Sequence, residues 1–467
     1  MSQLFFYIVP VAVILGFMIL IHEFGHYAVA KLLGVRVEQF AIGFGKRLFG
    51  FRKGETDYRV NAIPLGGYVK MSGENPVDQH TDDPREFLNH PRWHRFLIAI
   101  AGPFMNIVLA IFLLAGVFFV HPEFAPAEDE PAVVGSVKPG SPAAKAGIQP
   151  GDRIIKIDGI ENPTWEEVLN RDAINVNQKL HVVIQRANTT FEKDLVPQPV
   201  TVNQIGSSGW FPREPVIVGA LEPDMPAAKA GIQVGDKILE VDGKPVASMP
   251  GLVETLQQNK DKAVDLSVER GDQTLHFVLQ PVLTTIPGPH QPSWFSSLLQ
   301  KIGASHAEPE KEEQRYRIGF AGGQAPSQAE KLSLGEAFSR SVSENQKNSV
   351  LLLELVGKLV QRKVSLKAVS GPIGIAQMTG AAAQANGWAP LLVLTCLISL
   401  NLGIFNLLPI PIMDGGVILL LFIESLMRRE ISLPVKERIY QAAFVFLVLF
   451  AIVVIYNDIS KLGSGLP

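Results

Sequence analysis

The segment Leu4–His26, with the sequence LFFYIVPVAVILGFMILI-HEFGH, determines the class of this protein. The apolar part, Leu4–Ile21, carries no charge and is close to the ~20 residues with which a helix crosses a bilayer. A cleaved signal peptide is the alternative, but a charged start and a small-x-small cleavage site are both missing. We therefore predict an uncleaved span that ends in polar residues.

These polar residues have the pattern H-E-x-x-H. On a helix, His22 and His26 are one turn apart on the same face, so both imidazoles can bind one Zn²⁺ ion. Glu23 lies beside them and can accept a proton from zinc-bound water, whose pKa falls to about 7. The alternative is that the helix ends at Ile21 and the polar residues lie among lipid headgroups. Ionisable residues at membrane depth are costly, which favours the functional interpretation.

Three further apolar runs, Phe96–Val120, Leu391–Leu408 and Ala442–Tyr456, are long enough for spans, whereas Val417–Leu426 is too short. The remaining chain has the composition of soluble domains. Of the 467 residues, 47% are apolar and 19% charged, and the mean hydropathy is +0.20. This charged share is below the ~25% of soluble proteins. It is still too high for a chain that lies mostly in the bilayer.

Net charge and cysteine content exclude several classes of protein. The formal net charge of −3 gives no chain-wide electrostatic basis for nucleic-acid binding. Cys396 is the single cysteine, which excludes an internal disulfide and a thiolate-rich metal site. Because Cys396 lies inside the third apolar run, we expect it to serve packing.

Basic residues predict the orientation in the membrane. Segment 34–95 contains ten Lys and Arg residues, and the short segment 427–438 is also basic. Both flank predicted spans, and the positive-inside rule places them on the cytoplasmic side. Four spans then place both termini and segment 121–388 on the opposite side of the membrane.

The central segment contains an internal repeat. Val133–Gly159 and Ile217–Gly243 are identical at 16 of 27 positions, at an offset of 84 in the numbering. Such similarity indicates a duplicated module. Each copy predicts a strand, a short helix that ends at a glycine, and a strand that ends in an Asp-Gly hairpin turn. The pattern resembles PDZ domains in their permuted bacterial form, which bind extended peptides at a sheet edge. Occlusion of an opening without tight binding is the alternative role.

The second copy is longer than the first. Ile205-Gly206 matches Ile318-Gly319 at an offset of 113 in place of 84, so the second copy contains an insertion. The segment 284–314, rich in Pro, Ser and Glu, is the expected insertion. Its apolar residues around Trp294 fit either a short amphipathic turn at the membrane surface or a loop.

A second group of polar residues interrupts the third apolar run. Asn406–Gly416 has the sequence NLLPIPIMDGG, in which two prolines cannot continue a regular helix. Asp414 precedes two glycines, which allow the backbone to turn the carboxylate towards a metal. Catalytic zinc requires three protein ligands and an open position, so Asp414 is the predicted third ligand. An ordinary Asp-Gly turn at the membrane face is the alternative.

Together these motifs resemble the site-2 protease family of intramembrane zinc metalloproteases, in the bacterial form with tandem PDZ domains. The resemblance covers nearly the whole chain and implies a bacterial inner membrane, with both termini and segment 121–388 in the periplasm. It implies that His22, His26 and Asp414 bind zinc, that Glu23 is the general base and that Asn406 holds the substrate. It further implies cleavage inside single-span membrane proteins: a pre-cleaved anti-sigma factor in envelope stress signalling, and signal-peptide remnants. Many members have His where this chain has Val417, a position not expected to bind zinc.

Substrate helices must unwind before hydrolysis, because a helical peptide bond is shielded and hydrogen-bonded. Segment 35–71 predicts a small sheet whose edge can pair with an unwound substrate, and the resemblance implies that this element is membrane-reentrant. Gly66, Gly67 and Tyr68 are the residues of this segment expected to contact the substrate. A cytoplasmic hairpin with a purely structural role is the alternative. Asn106, inside the second span, is expected to form a helix–helix hydrogen bond rather than to act in catalysis.

The predicted fold is therefore a membrane α-helical protein of about four spans with a reentrant β element and two α+β PDZ-like domains. The expected order is TM1 with H-E-x-x-H at 1–34, the β segment at 35–93, TM2 at 94–120, PDZ domains at 132–212 and 213–322, amphipathic membrane-surface helices at 333–380, TM3 with N-x-x-P-x-P-x-x-D-G at 388–416, and TM4 at 436–457.

Two other classes of protein compete with the zinc protease. A membrane-anchored PDZ scaffold would carry a degenerate metal site, yet every catalytic element is present. A metal transporter could use the same His and Asp residues, but it would have no need for Glu23. In the leading interpretation the PDZ pair is a size filter that admits only trimmed substrates.

Overall fold

The computed structural model of the protein describes residues 3–74, 83–124, 131–200, 204–286, 313–323, 331–384 and 387–463. The chain divides into two compact units. The membrane unit comprises Met1–Ala125, Glu330–Leu353 and Ser370–Ile459, and the repeat unit comprises Pro126–Ala329, Glu354–Val369 and Ser460–Pro467.

Four helices in the described residues are long and apolar enough to cross a membrane, which confirms the predicted number. They are α1 (Gln3–Leu32), α2 (Arg92–Val120), α9 (Ala389–Asn406) and α11 (Leu433–Gly463). Helix α1 does not end near its H-E-x-x-H motif but continues to Leu32, because no proline or glycine pair interrupts residues 24–32. The helix terminates just before Gly34, which has a φ of 82° and so adopts the left-handed conformation that ends many helices.

The third apolar run forms one span, and a second, shorter helix follows it. Helix α9 ends at Asn406, and α10 (Asp414–Met427) begins after the two prolines. Helix α10 includes the run Val417–Leu426, which was predicted to be too short to cross, and α10 is not among the four long apolar helices. Cys396 of α9 is buried in a core cluster with Phe118 of α2, which confirms its packing role.

Residues 35–71 form a folded-back hairpin of two long strands, β1 (Val37–Lys53) and β2 (Thr56–Met71). Residues 39–42 of β1 pair with 57–60 of β2 on one side and with 67–70 on the other. The strands can double back because Gly43 has a φ of 80°, where a Cβ would lie 2.4 Å from the carbonyl oxygen of Ile63. The predicted sheet is therefore present, with the 67–71 segment along one edge.

The segment before the third span contains two helices, α7 (Leu334–Val360) and α8 (Pro372–Gln384). The N-terminus of α8 is capped from α11. Backbone N–H groups of Gly371, Ile373 and Gly374 donate to the carboxylate of Asp458 over 3.0, 3.1 and 3.1 Å. A carboxylate at this position satisfies the free N–H groups of a helix start, which stabilises the junction of the two helices.

The repeat unit contains two modules with matching strand order. The first module (132–212) has the sheet β5-β4-β6-β7 and the pair β3-β10, and the second (213–322) has β15-β14-β12-β11-β18 with β13 on β12. Helix α3 of the first module corresponds to α5 of the second, and α4 corresponds to α6. The bounds are β3 Val134–Val137, α3 Pro142–Lys145, β4 Arg153–Ile157, β5 Ile160–Glu161, α4 Trp165–Ile174, β6 Leu180–Arg186, β7 Thr189–Leu195, β8 Gln198–Pro199, β9 Gly206–Ser207, β10 Trp210–Pro212, β11 Val216–Leu221, α5 Pro226–Lys229, β12 Lys237–Val241, β13 Lys244–Pro245, α6 Met249–Asn259, β14 Val264–Arg270, β15 Gln273–Leu279, β16 Val282–Ile286, β17 Glu313–Arg317 and β18 Phe320–Gly323.

Local features predicted from the repeat are confirmed in both modules. Gly147 and Gly231 end the short helices with φ of 79° and 91°. The Asp-Gly turns after β4 and β12 have positive φ at both residues, as type I′ hairpin turns require. The predicted insertion begins and ends in the antiparallel pair β16–β17, and its interior, including Trp294, lies outside the described residues.

Each module also contains one ion pair between a buried aspartate and an arginine that ends a later strand. Nε of Arg186 donates to Asp152 over 2.6 Å, and Nε of Arg270 donates to Asp236 over 2.7 Å. Both carboxylates are buried. Each arginine also donates to the carbonyl of the glycine that ends the short helix. The pair therefore joins the Gly-Asp loop to the end of β6 or β14.

The first module contacts the C-terminal part of α7 within the repeat unit. Nη1 of Arg171 donates to Oε2 of Glu354 over 2.5 Å. Nζ of Lys358 donates to Oδ1 of Asn175 over 2.8 Å, and Asn175 is the C-terminal cap of α4. Because a lysine at a helix C-terminus also complements the helix dipole, these contacts fix α4 on α7.

Candidate metal centre

The membrane unit brings together the three predicted ligands, which are far apart in sequence. Nε2 of His22 lies 3.1 Å from Oδ2 of Asp414, and Nε2 of His26 lies 3.4 Å from Oδ1 of the same carboxylate. The two Nε2 atoms are 3.2 Å apart. One ligand atom from each residue therefore falls within 4.8 Å of the others. Two imidazole nitrogens and one carboxylate oxygen are the donors that leave a fourth position open in catalytic zinc sites.

Each imidazole is oriented by a second contact on helix α2. Nδ1–H of His26 donates to the carbonyl oxygen of Ile98 over 2.7 Å, so its Nε2 carries the lone pair that a metal requires. Nδ1 of His22 lies 3.3 Å from Nδ2 of Asn106, whose Oδ1 has no hydrogen-bond partner. Exchanging the oxygen and nitrogen of this amide lets Nδ1–H of His22 donate to Oδ1, which satisfies both groups. Asn106 thus faces a predicted ligand as well as the neighbouring span.

Two glycines allow α1 and α2 to approach closely at this level. A Cβ on Gly25 would lie 2.4 Å from the carbonyl oxygen of Ala101, and a Cβ on Gly102 would lie 2.3 Å from Nε2 of His26. Contacts this short are not possible, so a side chain at Gly102 would displace the imidazole. The observed position of His26 therefore requires a residue without a side chain at Gly102.

The segment between α9 and α10 positions Asp414 at the first turn of a helix. Ile412 has a φ of 90°, which is strained for a β-branched residue and is found mainly at functional sites. Cβ atoms on Gly415 and Gly416 would lie 2.3 Å from carbonyl oxygens of the preceding loop. The Asp-Gly-Gly sequence is therefore required because the loop folds back directly on the helix start.

A cavity of about 570 Å³ contains these residues and extends beyond them. Glu23 and Asn406, the predicted base and substrate-binding residue, both line it. Val417, one turn after Asp414, also lines it. The remaining walls come from β2, α2, α10 and α11, and include Tyr68, Val69, Met71, Arg95, Ala99, Leu420, Glu424, Lys436 and Tyr440.

The edge of the folded-back hairpin passes beside Glu23. A Cβ on Gly67 would lie 3.4 Å from Cγ of Glu23, and 2.8 Å from the carbonyl oxygen of Ala41. Tyr68 lines the cavity, and its ring stacks on Phe44 at 6.0 Å between centroids. Gly66 has a φ of 96° and contacts the same phenylalanine. The three residues predicted to contact substrate therefore lie on the strand segment next to the predicted base.

Several residues of this region are not marked by any motif in the sequence. Gly102, Asn106 and Arg95 belong to the apolar helix α2. A glycine, an amide or an arginine in such a helix also occurs without a role in a functional site, so the residue type alone is no signal. For Gly102 and Asn106, the one available signal is their place in an otherwise apolar span. Their contacts with His26 and His22 depend on the relative placement of α1 and α2, which local sequence does not specify.

Known proteins match this chain over nearly its whole length. The family model of peptidase family M50 matches residues 10–450. A regulator of sigma-E protease RseP from Escherichia coli is 33% identical, covering 96% of this chain and 97% of that protein. The RseP protein of Salmonella typhimurium has the same identity and coverage. A protein from Vibrio cholerae named as a zinc metalloprotease is 33% identical over 99% of this chain and all of its own length.

The family model and the full-length relatives give the same classification. The chain belongs to peptidase family M50, the site-2 protease family, and is a membrane metalloprotease.

Proposed function

We propose that this chain is a zinc-dependent protease that hydrolyses peptide bonds within the transmembrane segments of single-span membrane proteins. The observation that carries the proposal is the convergence of His22, His26 and Asp414 within 4.8 Å, in a cavity that also contains Glu23. The names of the relatives, which include a zinc metalloprotease, favour zinc as the metal.

The proposed ligands are Nε2 of His22, Nε2 of His26 and a carboxylate oxygen of Asp414. A zinc ion, when bound, supplies Lewis-acid polarisation of a peptide carbonyl and activation of a water molecule. The carboxylate of Glu23 accepts the proton of the attacking water and passes it to the amide nitrogen as the peptide bond breaks. Ile98 and Asn106 hold the two imidazoles in the required orientation.

The strand segment at Gly66, Gly67 and Tyr68 is the proposed binding edge for the substrate. In the described part of the chain, this segment pairs with residues 39–42 on one side and with no strand on the other. An unwound substrate can add to such an edge as a further strand, which would present its backbone to Glu23. Asn406, at the end of α9, also lines the cavity and is proposed to hold the substrate there.

Orientation and substrate selection are extensions of this proposal. The basic segments 34–95 and 427–438 favour a cytoplasmic location for the adjacent ends of the spans, with both termini and the repeat modules in the periplasm. The modules, proposed PDZ domains, would exclude substrates that still carry a bulky outer domain. Two of the relatives are named as regulators of sigma E, which supports a trimmed anti-sigma factor as a substrate class.

The catalytic proposal is tested by comparing wild type with Glu23→Gln. Both are purified, their zinc content is measured, and each is incubated with a single-span model substrate. We expect zinc in both proteins and cleavage by wild type alone, because Gln cannot accept the proton. Equal cleavage by the two proteins, or no zinc in either, contradicts the proposal. The filter is tested by deleting 132–322, which should allow an untrimmed substrate to be cut; if that substrate stays intact, the modules are not a filter.

A further inference from the structure

Arg95 is a buried cation in the same cavity as the metal centre. It is 5% exposed and lies in the first turn of helix α2, with Ala99 of the following turn also in the cavity wall. A charged side chain in this position loses its hydration, so it requires hydrogen-bond acceptors in compensation.

The structure provides few acceptors for this guanidinium. Nε of Arg95 is buried and has no hydrogen-bond partner. Among the described residues, Glu430 has the one carboxylate within 4.0 Å of the Arg95 guanidinium, with Nη2 and Oε1 3.8 Å apart. This distance is too long for a hydrogen bond, and the Glu430 side chain is 65% exposed. The buried carboxylate of Glu424 lies further away and interacts with Arg95 only through its charge.

The other charged groups of this end of the cavity have closer partners. The buried carboxylate of Glu424 accepts Nζ of Lys436 over 2.6 Å and the backbone N–H of Ile431 over 3.1 Å. Oε2 of Glu74 accepts the backbone N–H of Met71. Arg95 is therefore the cation of the described cavity wall that lacks a close anionic partner. Its planar fork of N–H donors matches the two oxygens of a carboxylate.

The position of Arg95 along α2 sets its distance from the reacting bond. Ile98, whose carbonyl orients His26, is three residues further along the helix, a rise of about 4.5 Å. Helical side chains point towards the helix N-terminus, so the guanidinium extends further from the metal centre. An extended peptide advances about 3.3 Å per residue, which places Arg95 roughly two to four residues from the bond that is cut.

We propose that Arg95 is a specificity-determining residue that binds an acidic side chain of the substrate, Asp or Glu, two to four positions from the scissile bond. This inference rests on the proposed proteolytic function of the same cavity. It assigns to the protease a preference for substrate segments with one carboxylate at a fixed distance from the cut. Such a carboxylate would satisfy the donors that the described residues leave unpaired.

The test uses the full-length enzyme and a set of single-span model substrates that differ at one position at a time. Each position from four before to four after the cut carries either Asp or Asn, and kcat and KM are measured. At one position, we expect wild type to cleave the Asp substrate with a kcat/KM about tenfold or more above that of the Asn substrate, mainly through KM. Hydrogen bonds to charged groups have energies that correspond to such a factor.

Three variants identify Arg95 as the origin of the preference. Arg95→Met, which keeps an unbranched apolar stem but not the charge, should cleave the Asp and Asn substrates equally. Arg95→Lys should retain a reduced preference, because an ammonium cannot form the bidentate pair. Glu430→Gln removes the exposed neighbour and should keep the full preference. Zinc content and thermal stability are measured for each variant.

Two results overturn the inference: a wild-type enzyme without an Asp preference at any position, or an Arg95→Met enzyme with an unchanged preference. If Arg95→Met does not fold, the test relies on Arg95→Lys. A preference of Arg95→Lys for the Asp substrate that equals the wild-type preference then contradicts the inference. Failure of the proposed function looks different, since wild type would cut none of the substrates. Failure of the inference leaves cleavage intact and removes only the preference.

Discussion

A methyl group on Gly102 would lie 2.3 Å from Nε2 of His26, the atom proposed to bind the metal. The contact is a direct consequence of the close approach of α1 and α2. The imidazole cannot retreat freely, because its Nδ1–H donates to the carbonyl of Ile98 on the same helix as Gly102. A residue without a side chain in α2 therefore determines where a side chain of α1 can lie.

Gly102→Ala should abolish metal binding while the protein still inserts and folds. The added methyl overlaps the imidazole, and misplacement of a ligand by even about 1 Å is enough to disrupt a catalytic site. Zinc content and cleavage of a model substrate are the measurements. Gly116→Ala is the matched control, since Gly116 lies in the same helix with no atom within 4 Å of its Cβ position. Normal zinc content in Gly102→Ala would show that the imidazole is not held as described.

Asn106→Leu should weaken zinc binding by about 10- to 100-fold, the usual effect of removing a group that orients a metal-binding histidine. The shape of the side chain is nearly kept, but Nδ1 of His22 loses its partner. Zinc affinity is measured by competition with a chelator. Thr395→Val serves as the control. It removes a buried hydroxyl of α9 that donates to the carbonyl of Leu391 in the same helix. An unchanged affinity in Asn106→Leu would assign Asn106 to helix packing alone.

Arg270→Met should destabilise the second module by about 1–3 kcal/mol, because the buried carboxylate of Asp236 loses its charged partner. Hydrogen exchange of the amides in β12 and β14 measures the change. Lys237→Met removes a surface ion pair of the same module with Glu269 and should change stability by less than about 1 kcal/mol. Equal effects of the two substitutions would contradict the special role of the buried pair.

The same pair predicts an acid-sensitive second module. Burial of Asp236 raises its pKa, but the hydrogen bonds from Arg270 and the backbone of Gln233 have the opposite effect and bring the pKa below the usual 3.8. A lowered folded-state pKa stabilises the module above about pH 4, and this stabilisation is lost as the pH falls through the folded value. Hydrogen exchange, corrected for intrinsic rates, should show a loss of protection below about pH 4 in wild type. A variant Arg270→Met with the same decline would contradict this linkage.

Local sequence predicted the main elements and the candidate ligands but not the contacts between distant segments. Long apolar runs indicated four spans, and H-E-x-x-H indicated two candidate ligands because a helix places i and i+4 on one face. Asp414 could be proposed because prolines and glycines mark a break in an apolar run.

The remaining features depend on tertiary structure. The double pairing of residues 39–42 requires β1 and β2 to fold back on themselves, and alternation of side chains does not specify this register. The roles of Gly102 and Asn106 arise only when α2 packs on α1. The Asp–Arg pairs lie at the same spacing in both repeat modules, so a comparison of the two copies beyond Gly159 and Gly243 could have found them.

The central claim is that His22, His26 and Asp414 bind one zinc ion, and zinc X-ray absorption spectroscopy of the purified enzyme tests it most directly. One zinc per chain is predicted, with two imidazole nitrogens at about 2.0–2.1 Å and carboxylate or water oxygens at about 2.0–2.2 Å. Asp414→Ala should lose the metal or change this shell. A protein without zinc, or a spectrum that is the same in wild type and Asp414→Ala, would contradict the claim.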